Sequence, residues 1–174
     1  APPHIIKQRT LTAYAKRFGL KILVETGTYY GEMLEAMKNR FDHLYSIELS
    51  SELYAKAAER FRGIEHIELI QGDSGIELGN VMKKISQPAL FWLDGHYSAG
   101  ITAKGAKDTP IYEELNHILT APDKGHVIII DDARCFGKDP AYPSIKELSD
   151  FIKSKRPCTS IEVQDDSIRI APIR

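Results

Sequence analysis

The stretch Ile22-Leu23-Val24-Glu25-Thr26-Gly27-Thr28-Tyr29-Tyr30-Gly31 decides how the rest of the 174-residue chain is read. Lys21 to Glu25 is a β-type run that ends in a carboxylate, turns through two glycines and feeds a helical pattern. In that pattern Met33, Leu34, Met37 and Phe41 form an apolar stripe at helical spacing. Four more runs repeat the design. His43 to Glu48 ends in an acid, and Ile64 to Ile70 closes on Gln71-Gly72-Asp73. Ala89 to Leu93 ends at Asp94, and Val127 to Ile130 ends at Asp131-Asp132. An open α/β sheet built this way binds its ligand outside the carboxyl ends of its strands.

The connections read as helices. Residues 5 to 19 place Leu11, Tyr14 and Phe18 on one face, with Gly19 suited to the C-cap. Ser50 offers an N-cap with Glu52 in the first turn, and Gly63 ends that helix. Ser74 and Glu77 suggest a capping box over Ile76, Val81 and Ile85, and Ser144 with Glu147 a second over Ile145, Leu148 and Ile152. Thr109-Pro110 opens a helix through Ile111, Leu115, Ile118 and Leu119. Thr159 to Gln164 and Ser167 to Ile170 are joined only by Asp165-Asp166, too short for a helical crossover, so they form an antiparallel hairpin. The expected fold is a single Rossmann-like α/β domain over residues 1–174, a three-layer sandwich whose mostly parallel sheet ends in that hairpin. Residues 1–19 form a helix preceding the sheet.

The totals narrow the function classes. A net charge of −1 gives no electrostatic reason to expect a nucleic-acid partner. No apolar run approaches the ~20 residues of a spanning helix, and no signal-peptide pattern is present, so neither membrane nor export is expected. Cys135 and Cys158 are too few for a disulfide framework and read as reduced thiols of a cytoplasmic protein. The chain begins Ala-Pro-Pro-His rather than with Met, which leaves a missing extension open.

Three acids at three successive strand ends, beside a glycine turn, suit a nucleotide-like ligand. Gly27 and Gly31 let backbone approach it, and Glu48 lies 23 positions beyond Glu25, where a ribose-binding acid belongs; the dinucleotide fingerprint places its acid ~20 residues on. Glu25 can accept from an ammonium group and Asp73 from an adenine amino group. The plainer alternative is that acids favour helix N-termini. A pyrophosphate needs Gly-x-Gly-x-x-Gly, and here Thr28, Tyr29 and Tyr30 fill the space between only two glycines. No Gly-x-x-x-x-Gly-Lys-Ser/Thr for a triphosphate occurs either. From about residue 20 to the terminal hairpin, Glu25-x-Gly27-x-x-x-Gly31 with Glu48 and Asp73 resembles the class I S-adenosylmethionine-dependent methyltransferases. That resemblance implies that Glu25, Gly27, Gly31, Glu48 and Asp73 contact S-adenosylmethionine.

Asp94, Asp131 and Asp132 would share one crevice, and clustered carboxylates must be protonated or bridged by a cation. Oxygen ligands favour Mg²⁺ or Ca²⁺ over zinc. The arrangement resembles the cation-dependent O-methyltransferases, which implies Mg²⁺ on Asp94, Asp131 and Asp132. Without a metal, Asp131 or Asp132 would cap the loop and Asp94 would hydrogen-bond substrate. His96 is the candidate general base, with a packed loop histidine as the alternative. Tyr97 to Thr109, with Lys104 and Lys107, is either a closing loop or a solvated one. His43, His66, His117 and His126 read as structural or exposed.

The expectation is a methyltransferase using S-adenosylmethionine on the oxygen of a small hydroxylated metabolite or sugar, with Mg²⁺ as candidate assistant and Asp94 and His96 as candidate catalytic groups. A homo-oligomer is compatible with the sequence. An NAD-type oxidoreductase and a non-catalytic cofactor-binding module are the alternatives.

Overall fold

Val127-Ile128-Ile129-Ile130 offers no polar face to water, so a strand made from it needs cover on both sides. The computed structural model, which describes residues 1–95 and 110–173, supplies that cover. Its elements run α1 (His4–Phe18), β1 (Ile22–Thr26), α2 (Glu32–Met37), β2 (His43–Glu48), α3 (Ser51–Arg60) and β3 (Ile67–Gln71). They continue α4 (Ser74–Met82), β4 (Ala89–Leu93), α5 (Ile111–Thr120), β5 (Val127–Ile130), α6 (Ile145–Lys155), β6 (Thr159–Gln164) and β7 (Ser167–Pro172). The seven strands form one sheet in the order β3-β2-β1-β4-β5-β7-β6. Strands β1 to β5 pair in parallel, and β7 runs antiparallel between β5 and β6.

Side chains alternate between two cores. Val24, Ile47, Phe91, Leu93, Ile128 and Ile130 meet residues of α4, α5 and α6, among them Leu78, Val81, Leu115, Leu148 and Ile152. Leu23, Leu44, Leu90, Trp92 and Ile129 meet Leu11, Leu34, Met37, Ala57 and Phe61 from α1, α2 and α3. The chain steps outward from β1 to β3 and returns to β4 on the other side. The strand order therefore reverses between β1 and β4, which opens a crevice at their carboxyl ends.

Several local expectations change. The capping box at Ser74 does not form. Asp73 holds extended dihedrals and its side chain accepts from the Gly75 amide at 2.8 Å, so α4 begins one residue earlier. Ile76, expected inside, is 64% exposed, because Leu78 and Val81 define the buried face. β3 starts at Ile67 rather than Ile64, since turns from Phe61 to Ile64 and from Ile64 to Ile67 extend the preceding bend. The capping box at Ser144 and Glu147 forms as expected. In the hairpin Asp165 and Asp166 both adopt positive φ, 49° and 60°, as the tightest right-twisted turn requires.

α1 ends at Gly19, whose φ of 66° gives the left-handed C-cap. Leu11 is fully buried beneath it. Arg169 of β7 donates to Thr10 at 3.3 Å and lies over the Tyr14 ring, tying the helix to the hairpin. Among the described residues no helix is long and apolar enough to cross a membrane.

Candidate functional site

Backbone hydrogen bonds continue one residue beyond the strands and align their exits. The Gly27 amide donates to Ile47, Gly72 to Glu48, Asp94 to Thr26 and Asp131 to Leu93. Gly27 has φ 83°, and a Cβ there would lie 2.6 Å from the Asp94 carbonyl oxygen. The first glycine is thus required by the crossing of the β1 and β4 exits. A Cβ at Gly31, φ 85°, would strike the Phe61 ring at 2.6 Å, so the second glycine admits α3 against the turn. Between them Tyr29 takes a left-handed conformation, φ 50°, and its amide donates to Glu48 Oε1 at 2.9 Å.

Glu48 is only 4% exposed, and its Oε2 accepts from the Ser50 amide at 2.9 Å. Two backbone amides fix the carboxylate against the glycine turn, and each oxygen keeps acceptor capacity for a ligand hydroxyl. Glu25 lies beneath, 2% exposed, accepting from Ser46 Oγ at 2.6 Å, while Ser46 and Thr28 share a second hydrogen bond at 2.6 Å. Burial, and then the Glu48 charge, raise the Glu25 pKa to about 8 against the opposing Ser46 hydrogen bond. At neutral pH Glu25 is mainly a neutral acid, whose ionisation an arriving ammonium would favour. Asp73, half-buried, points one oxygen at its own helix.

Asp94, Asp131 and Asp132 do converge, each offering an oxygen within 4.8 Å of the others. Asp132 holds a left-handed φ of 59° and pairs with Arg134 at 3.0 Å. The cluster also contains a group the sequence reading missed. Lys7 of α1 donates from Nζ to Asp131 Oδ2 at 2.6 Å. Burial opposes the ammonium, but its hydrogen bond to Asp131 and the three aspartate charges outweigh that and raise its pKa. Asp94 is pushed well above the ordinary aspartate range, by burial first, then by the Asp131 charge and a hydrogen bond to Asp131. The internal ammonium relieves the crowded charge at Asp131, and the same crowding favours the neutral acid at Asp94. The signal for Lys7 was its position four residues before Leu11, on the buried face of α1.

His96 and the expected loop from Tyr97 to Thr109 lie outside the described residues. The rings of His66 and His117 meet the carbonyls of Lys38 and Gly75, and His126 Nδ1 accepts from the Ala89 amide. These contacts are structural, as read from the sequence.

No protein-family model matches the chain, and no curated protein matches it in sequence. Solved structures do. An O-methyltransferase from Bacillus cereus in complex with S-adenosylhomocysteine superposes with TM-score 0.70 at 16% identity, over 100% of this chain and 82% of that one. The O-methyltransferase TomG from Streptomyces achromogenes, in complex with S-adenosylmethionine, gives 0.65 at 17% identity, over 96% and 79%. The 23S rRNA methyltransferase ErmE gives 0.56 at 17% identity, over 95% and 68%. The fold is that of the class I S-adenosylmethionine-dependent methyltransferases.

Proposed function

We propose that residues 1–174 form one S-adenosylmethionine-dependent methyltransferase domain acting on the oxygen of a small hydroxylated metabolite or sugar. The observation that carries this reading is the Glu48 carboxylate, held by the Tyr29 and Ser50 amides against the Gly27–Gly31 turn where the strand order reverses. Glu48 accepts from the two ribose hydroxyls, Glu25 from the ammonium, and Asp73 from the adenine amino group. When bound, S-adenosylmethionine supplies an electrophilic methyl group. The chain's own task is to align an acceptor oxygen with it and to take up the proton, for which His96, next after Gly95, is the candidate base.

The aspartate cluster fits a hard divalent cation by donor type and convergence. Asp94, Asp131 and Asp132 would hold Mg²⁺, which supplies Lewis acidity toward the acceptor oxygen. Lys7 stands in competition with it. The net charge of −1 supports a small-molecule acceptor over a nucleic acid.

Thermal melting tests cofactor and metal together. S-adenosylhomocysteine should raise the Tm, by about 2.7 kcal/mol of stability at a hundredfold excess over Kd. Mg²⁺ should raise it further. Lys7→Met should lower the Tm in EDTA, since Asp131 loses the Lys7 ammonium, and should enlarge the Mg²⁺-dependent rise, since the competing cation is gone. A Tm insensitive to Mg²⁺ in both proteins would leave Lys7 as the resident cation of a metal-independent site.

A further inference from the structure

α5 carries a carboxylic acid that the cofactor and metal sites do not use. Glu114 is fully buried, on the same helical face as the core residues Ile111, Leu115 and Ile118. Neither of its oxygens meets strict hydrogen-bond geometry. The hydroxyls of Ser74 at the start of α4 and of Thr26 at the end of β1 stand close enough to favour its charged form. A buried polar group left this way is expensive unless some state of the protein satisfies it.

Its surroundings are the strand exits of the cofactor site. Thr26 Oγ1 accepts from the Gly95 amide at 3.1 Å, so its own proton is free to turn toward Glu114. A Cβ at Gly95 would lie 3.0 Å from the same Oγ1, and one at Gly27 would collide with the Asp94–Gly95 backbone. Across the helix pair, a Cβ at Gly75 would lie 2.5 Å from Glu113 Oε2, and one at Gly79 would lie 2.8 Å from the His117 ring. Two glycines therefore bring α4 close against α5, and Glu114 faces the residues that end β1 and open α4.

We propose that Glu114 is a positioning residue, whose buried carboxyl gathers the Thr26 and Ser74 hydroxyls and so sets the exits of β1, β3 and β4 for cofactor binding. It rests on the cofactor reading under Proposed function. The hydroxyls donate, so they hold the carboxylate more strongly than the neutral acid. Against that, the ionised group faces the charges of Asp73 and Glu113. Burial first, and then Asp73 and Glu113, raise its pKa to about 7 against those two hydroxyls. Binding that draws the hydroxyls onto the carboxyl group lowers that pKa and releases a proton, so affinity rises as pH rises through it.

The test is the Kd for S-adenosylhomocysteine, by calorimetry, from pH 6 to pH 9 in the wild type and in Glu114→Gln. Wild-type affinity relative to the variant should rise about five- to tenfold across that range, as a downward shift of one pKa unit on binding requires. Ionisation of Glu25 and of the ligand's amine is common to both proteins and cancels in the ratio. Glu114→Gln, an uncharged isostere, should match the wild type at pH 6, and Glu114→Leu should bind more weakly at every pH. Should Glu114→Gln fail to fold, Ser74→Ala takes its place and should flatten the profile. Parallel profiles, or a pH-independent loss in Glu114→Gln, would overturn the proposal. A wild type that binds at no pH would overturn the cofactor reading, and the proposal with it.

Discussion

Gly27→Val should abolish binding of S-adenosylhomocysteine and destabilise the fold. Two effects add at this position. A β-branched residue at φ 83° holds backbone strain of about 1–3 kcal/mol. Its Cβ also falls 2.6 Å from a backbone oxygen of the β4 exit, which cannot rotate away, and overpacking of that kind costs about 1–3 kcal/mol. Relief comes only by separating the β1 and β4 exits, and that separation opens the crevice itself. Gly63→Ala is the control, because Gly63 has φ 83° but no atom within 4 Å of the place its Cβ would take, so it carries the strain without the collision. Denaturant unfolding of both, with calorimetric titration of each, separates the two effects. A folded Gly27→Val protein that binds normally would place the site elsewhere.

Glu48→Ala is expected to weaken S-adenosylhomocysteine binding ten- to a hundredfold, about 1.5–3 kcal/mol for a lost hydrogen bond to a charged group. The truncation also frees the Tyr29 and Ser50 amides, so the turn between Gly27 and Gly31 loses the acceptor that holds Tyr29 in its left-handed conformation. Glu48→Gln should recover little. Its amide nitrogen replaces an acceptor where backbone N–H groups point inward from both sides. Equal affinity in parent and Glu48→Ala would remove Glu48 from the site.

The sheet could be read from the sequence because each strand states its own environment. Ala89–Leu93 and Val127–Ile130 are apolar throughout, and each exit carries its acid within one or two residues of the strand. The hairpin could be read because a two-residue link admits one geometry. The reason for the glycines could not. Local sequence gives Gly27 and Gly31 to the ligand, whereas their missing side chains make room for Asp94–Gly95 and Phe61, contacts that it does not encode. Lys7 meets Asp131 across 124 positions of sequence, so only the packing of α1 reveals that the acidic cluster has its own ammonium. Glu114 was within reach. A glutamate three residues after Ile111 and four before Ile118 falls on the buried stripe of its helix, where an unpaired acid needs an explanation. The Ser74 box failed for a related reason: Asp73 is as good a cap, and one residue decides between them.

The central claim is that the crevice between β1 and β4 takes the methyl donor and not a dinucleotide. Calorimetric titration of the wild-type protein with S-adenosylhomocysteine, and separately with NAD⁺, tests it most directly. The account predicts one site per chain for S-adenosylhomocysteine, with a Kd in the micromolar range, about −8 kcal/mol, and no heat of binding for NAD⁺. Saturable binding of NAD⁺ with none for S-adenosylhomocysteine would contradict it.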